Sequence, residues 1–145
     1  MEKEKTTVLV LPYPVSNNRY YRKFKNITVL SPEGRSYKEF VKWKYRKIKP
    51  TNDEIEIEII VNRKMTKDGR DFKKVIDIDN PSKGILDSLI GVIYHDDKQV
   101  KKHTTEYGDS NPAGDTVVRV KQYTKKPFDK EIQDILDRLK KGEKI

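Results

Sequence analysis

The chain contains no cysteine. That absence removes disulfide staples, thiolate nucleophiles and cysteine-rich zinc sites, and it fits a reducing compartment. Long apolar runs are also missing, and the opening MEKEKTT lacks the apolar core of a secretion signal. The expectation is a cytoplasmic protein without a membrane partner. Histidine is scarce: His95 and His103 each lack a second histidine at ligand spacing, so surface or supporting roles suit them better than metal ligation. Hydrophobic residues make up 34% against 38% charged, which predicts a lean core that an oligomer interface would supplement. There is no internal repeat or low-complexity block.

What the chain has in excess is positive charge. Lys and Arg number 32 against 23 Asp and Glu, a net +9, which favours a polyanionic partner over an acidic small molecule. A length of 145 residues suits one domain with one modest core, spanning 1–145.

Along the chain, Thr6 to Leu11 reads as a buried strand closed by Pro12 and Pro14. The segment SNNRYYRKFKN follows as a loop, with Asn17, Asn18, Arg19, Arg22, Lys23 and Lys25 interleaved with Tyr20, Tyr21 and Phe24. Cations meet phosphates and aromatic faces stack on exposed bases, so the segment suits distorted or branched nucleic acid. A solvated basic loop with its aromatics turned inward is an equal reading. Ile27 to Leu30 forms a short strand, and Ser31 ahead of Pro32 starts a helix whose stripe is Tyr37, Phe40, Val41, Tyr45 and Ile48, ending at Lys49 and Pro50. Trp43 falls off that stripe as edge packing. Glu54 to Val61 alternates cleanly as a strand, with Glu54, Glu56 and Glu58 on a solvated face. Arg63 to Lys74 reads as a basic arm around an Asp68-Gly69 turn, placing Lys73 and Lys74 near phosphates. Gln99 to Tyr107 and Thr116 to Tyr123 read as a hairpin that brings in Lys101. A last helix over 128–141, with Ile132, Ile135, Leu136 and Leu139 on one stripe, is an extension that caps the core or meets a second subunit. The fold class is mixed α/β: a sheet of about four to five strands flanked by helices.

The run from Asp77 to Val100 carries most of the chemistry. Asp77 and Asp79, on an extended segment, point the same way because strand side chains repeat every two residues. Asn80 as N-cap and Pro81 at the first helical position open a helix with Ile85, Leu86, Leu89, Ile90 and Ile93 on its apolar stripe and Lys83 and Asp87 on its polar face. Asp96 and Asp97 close the run. Carboxylates gathered in one place resist ionising together unless a cation sits between them. All-oxygen ligation beside a lysine suggests Mg²⁺ or Mn²⁺, ions that act on phosphate esters. Each half alone also reads as an ordinary cap or turn. A calcium-binding helix-loop-helix is excluded, because Ser82 and Ser88 stand where its glycine and bidentate glutamate belong.

Two separated motifs give the sequence a family likeness. LPYPVSNNRYYR from Leu11 to Arg22, continued by SPEGRSY from Ser31, and the set Asp77, Asp79, Asn80, Lys83, Asp87, Asp96, Asp97, Gln99 and Val100 together resemble RusA-type Holliday-junction resolvases. The resemblance implies a homodimeric, Mg²⁺-dependent endonuclease that cuts four-way DNA junctions by paired symmetric nicks in recombination and repair, with no nucleotide cofactor. It carries metal-binding and catalytic roles onto Asp77, Asp79 and Asp97, with Asp96 as the alternate ligand, and an essential basic role onto Lys83. Departures are Ile76, where relatives carry a basic residue, Pro81, and a spacing from Lys83 to the acidic pair shorter by one residue. Alternatives are a nuclease on flaps, forks or RNA, a basic junction-binding protein without the chemistry, and, more weakly, a structural role.

Overall fold

The alternating isoleucines of one strand place the core. A computed structural model describes residues 6–72 and 76–145, and in it strand β4 (Ile55–Val61) buries Ile55, Ile57, Ile59 and Val61 on one face while Glu56 and Glu58 stay half-buried on the other. β4 lies inside a four-stranded mixed sheet of order β1-β6-β4-β5, with β1 at Thr6–Leu11, β5 at Val100–Tyr107 and β6 at Thr116–Gln122. β6 runs antiparallel to both β1 and β4, and β5 runs parallel to β4. The expected β5–β6 hairpin is therefore corrected. The fully apolar-faced β4 takes the central place between them, where both its edges are paired, and polar β5 is left as an edge strand.

A parallel pair needs a crossover, and the one between β4 and β5 contains helix α3 (Ser82–Leu89). Together with helix α2 (Pro32–Lys44) it covers the isoleucine face: Tyr37 and Val41 from α2, Ile85 and Leu89 from α3, Leu9 and Leu11 from β1, and Val118 and Val120 from β6 form one buried cluster. The opposite face is an ion-pair ladder. Glu54 meets Lys101 at 3.3 Å, Glu56 lies 3.6 Å from Lys121 and 4.0 Å from Lys102, and Glu58 pairs with Arg119. These exposed pairs contribute only about 0–1 kcal/mol each, so the fold depends on the apolar side.

Ser31 caps α2 as expected, its hydroxyl accepting from Gly34 N at 3.0 Å. The helix ends at Lys44, earlier than its sequence stripe suggests. Tyr45 turns away and its hydroxyl bonds both the N–H and the carbonyl of Val10, at 2.6 and 2.9 Å, occupying the open edge of β1. Phe40, expected in the stripe, is 43% exposed beside Trp43.

The segment read as a loop after Pro14 is ordered. It forms a one-turn helix α1 (Asn17–Tyr20) and a hairpin of β2 (Tyr21–Phe24) and β3 (Ile27–Leu30). Lys25 and Asn26 both take positive φ, 48° and 66°, the geometry that two-residue hairpin turns require, without the usual glycine. Tyr20 plugs this unit into the core, 1% exposed, with its hydroxyl 2.8 Å from Ser88 Oγ. Two glycines allow the approach: a Cβ at Gly34 would stand 2.3 Å from the Tyr20 carbonyl oxygen, and one at Gly84 3.0 Å from its ring. Gly34→Ala is accordingly expected to destabilise the fold by about 2–3 kcal/mol, the cost of overpacking a close backbone contact. That corresponds to a fall in Tm of roughly 5–10 °C. An unshifted thermal melt would show that α1 and α2 are not this closely packed.

Candidate active site

The two motif-bearing segments touch. The Ser16 carbonyl accepts from Arg19 N and Tyr20 N at 3.0 and 2.8 Å, winding α1, and Asn17 N donates to the Asn80 carbonyl at 3.2 Å. Ser31 clamps the same turn of helix, its hydroxyl donating to the carbonyls of Arg19 and Tyr20. The basic N-terminal unit is thereby fastened to the acidic segment ahead of α3.

That acidic segment is a turn, which corrects the expectation of an extended strand. Asn80 N donates to the Asp77 carbonyl at 3.0 Å, so Asp77 to Asn80 close a β-turn and the two-residue pleat does not set where Asp77 and Asp79 point. Both carboxylates are exposed. The helix starts one residue later than expected, at Ser82, with Pro81 in the cap position and no side-chain cap; the Asn80 carbonyl serves Asn17 instead. The helix also stops at Leu89, because Ile90 turns extended and Gly91 takes φ +81°.

On the polar face of α3 a second group forms around Asp87. Tyr21 donates its hydroxyl to Asp87, Lys83 Nζ lies 3.5 Å from Asp87 Oδ2, and the same ammonium sits 4.0 Å from the centre of the Tyr21 ring. Burial, and then the negative charge of Asp97, raise the Asp87 carboxyl above its ordinary pKa. Tyr94, buried behind them, has its phenol pushed far up by burial and then by the charges of Asp87 and Asp97. Asp97 thus stands close enough to Asp87 for the two to repel.

Asp96 and Asp97 have separate local duties. Asp96 opens a 3₁₀ turn over Asp97–Gln99: its side chain accepts from Lys98 N at 2.9 Å, and Gln99 Oε1 accepts from Asp96 N at 3.0 Å, a reciprocal capping box. The Lys98 N–H is the main cause holding the Asp96 carboxyl below its usual range. Asp96 is occupied with the turn, whereas Asp97 carries the charge felt by Asp87 and Tyr94.

The donors are all carboxylate oxygens, the chemistry a hard divalent cation takes. The set fits Mg²⁺ in kind. It is split in space: among the described residues no three Asp, Glu or His side chains are grouped closely enough to hold an ion.

The expected nucleic-acid contacts fall into distinct places. Arg22, Lys23 and Lys25 are exposed on the β2–β3 hairpin, with Phe24 and Ile27 exposed at its tip. Asn18 is exposed; Asn17 is half-buried, and its Oδ1 is a buried acceptor without a partner among the described residues. Arg19 is exposed and pairs with Glu33 at 3.0 Å. One assignment is corrected: Tyr20 is a core residue, since filling the space between Gly34 and Gly84 leaves no ring face for a base. Lys101 is exposed on β5 and pairs with Glu54 at 3.3 Å. Lys73 and Lys74 lie outside the described residues. A groove of ≈ 560 Å³ runs past the acidic turn, lined by Tyr13, Arg19, Lys64, Phe72, Asp77 and Asn80 among others.

Residues 12–127 match the family model described as endodeoxyribonuclease RusA. The chain belongs to that family. The RusA match takes in the second motif, the first from Pro12 onward, and every residue of the candidate site, and stops short of the last helix. Membership supports a nuclease activity on DNA. No curated protein matches the chain. Among the described residues no helix is long and apolar enough to cross a membrane.

Sequence reasoning missed the part played by Tyr21, 66 residues from the Asp87 it serves, and did not single out Tyr13, Lys64 or Phe72. Tyr13 and Tyr21 stand inside the RusA-like motif. Lys64, whose ammonium lies 4.4 Å from the centre of the Tyr13 ring, and Phe72 lie in the basic arm read from Arg63 to Lys74.

Proposed function

We propose that this RusA-family protein is a Mg²⁺-dependent endonuclease that resolves four-way DNA junctions by paired symmetric nicks, acting as a homodimer. The observation that carries this reading is the contact of Asn17 with Asn80, which sets a cationic, aromatic-tipped hairpin and a groove lined by Arg19 and Lys64 beside an acidic turn. Cations and aromatics hold a distorted phosphate backbone, and acids beside them have no use in holding it unless they take a cation.

Asp77, Asp79 and Asp97 would hold the ion, which would have to draw them together, since among the described residues they are not grouped without it. Bound Mg²⁺, or Mn²⁺ in its place, supplies the charge that polarises a phosphoryl oxygen and the acidity that makes water a nucleophile at neutral pH. The rest falls to side chains. Lys83, kept over the Tyr21 ring and next to Asp87, meets the negative charge that builds on the scissile phosphate. Asp87 aims that ammonium, and Tyr21 fixes Asp87. The hairpin cations and the groove bind and orient the backbone. A junction must be cut on two strands, so two copies related by a two-fold axis supply both sites.

The test is cleavage of a four-way junction, a flap and a linear duplex, each with Mg²⁺ and with EDTA, with cut positions mapped. Symmetric paired nicks on the junction, abolished by EDTA, are expected. Products confined to the flap would reassign the substrate, and no product under any condition would leave a junction-binding protein.

A further inference from the structure

The last helix has no place in the fold. Helix α4 (Lys130–Lys140) is capped at its N-terminus by Asp129, whose Oδ1 accepts from Ile132 N at 3.2 Å, yet none of its residues is buried. Ile132, Ile135, Leu136 and Leu139 form one stripe with exposures of 38–50%, and Phe128 precedes them at the same spacing. An isolated helix of 11 residues is marginal in water, and an uncovered stripe on it is an incomplete interface. The RusA match ends at residue 127, so the nuclease reading does not account for this element.

Its charges say what covers it. Asp129, Glu131 and Asp134 outweigh Lys130 in the first half, net −2, and Arg138, Lys140, Lys141 and Lys144 outweigh Asp137 and Glu143 in the second half, net +2. A helix with that asymmetry complements a second copy of itself laid antiparallel, which also opposes the two macrodipoles favourably. In heptad terms Ile132 and Leu139 are a positions and Ile135 a d position, with Phe128 outside the helix ahead of its Asp129 cap. Antiparallel alignment then stacks Ile132 on the Ile135 position of the second copy. Glu131 and Arg138 flank this seam on one side, at g positions, where the alignment sets each against the other across the pair, twice over by symmetry. Arg138 is paired within its own chain, 2.7 Å from Glu143, and exchanges or shares that partner on meeting Glu131 of the second copy. A parallel alignment would instead set Glu131 against Leu136 and acidic half against acidic half.

We propose that α4 is a self-pairing helix, joining two copies of this chain through an isologous antiparallel contact of the Ile132, Ile135, Leu136 and Leu139 stripe. Two helices about 16 Å long bury less than a standard interface, so α4 pairing alone gives a concentration-dependent association in roughly the micromolar range. The inference does not rest on the nuclease reading.

The test uses the full chain, with exposed charges changed so that folding is spared. Glu131→Arg and Arg138→Glu each place like charges across the pair twice, and sedimentation equilibrium is expected to show association weakened about tenfold for either variant alone. An equimolar mixture of the two variants restores opposite charges at both contacts and is expected to return the parental association. If the rest of the chain also dimerises, the α4 contribution is the part that the single changes remove and the mixture returns. Single variants that associate as the parent does would overturn the proposal. So would a mixture as weak as its components, which would place the stripe against some other surface or in a parallel pair. Junction cleavage measured on the same variants reports on the nuclease reading separately.

Discussion

Asp79→Asn is expected to lower junction cleavage by about 10³-fold or more, the several kcal/mol that metal-assisted polarisation contributes at 1.36 kcal/mol per tenfold. The amide keeps the shape of the side chain and removes the charge an ion would need. Asp79 is exposed in the turn ahead of α3, so stability should change by no more than about 0.5 kcal/mol. Binding should survive, because affinity for a phosphate backbone comes from the cations on the hairpin and in the groove, and losing a negative charge beside that groove favours the polyanion. The pairing of lost cleavage with equal or slightly tighter junction binding is what separates a catalytic acid from a structural one. A variant that nicks at the parental rate would remove Asp79 from the reaction centre.

Much of the fold follows from local rules that the chain obeys. Ser31-Pro32 marks the start of α2 because a hydroxyl before proline is both a cap and a fixed φ, and the strict alternation of β4 leaves its buried face in no doubt. What local rules do not carry is pairing between distant segments. β5 and β6 are consecutive, yet β4 separates them, because which strand becomes central is decided by how much apolar surface each must bury. The β2–β3 hairpin escapes notice for a different reason: Lys25 and Asn26 hold positive φ without glycine, and the strain is met by Tyr20 and Tyr21 anchoring the hairpin base.

The site divides the same way. Residue types and their spacing, with the family likeness, point to Asp77, Asp79, Lys83 and Asp97, but not to how they are held. The turn at Asp77–Asn80 is pinned at its last residue by Asn17, which donates to the Asn80 carbonyl from another part of the chain. Asp96 and Asp97 look alike in sequence and differ only once the capping box engages the first. Tyr20 and Tyr21 are adjacent, and alternate sides of the backbone send one into the core against Ser88 and the other to Asp87.

Lys83→Met is the second large effect. Methionine preserves an unbranched stem against the Tyr21 ring and deletes the ammonium that stands 3.5 Å from Asp87. Loss of one positioned charge from a transition state costs about 10²–10³-fold in kcat. As a phosphate contact the same lysine accounts for only about one unit of the salt dependence of binding, so the two measurements move by very different amounts. Tyr21→Phe supplies the companion: it keeps the ring beneath Lys83 and removes only the hydroxyl given to Asp87, so its effect on kcat should be smaller and it should add little on top of Lys83→Met if both act through one arrangement. Were Lys83→Met to lose binding and cleavage in equal measure, the lysine would be one more cation of the DNA surface and the cluster around Asp87 a structural clasp between α3 and the hairpin.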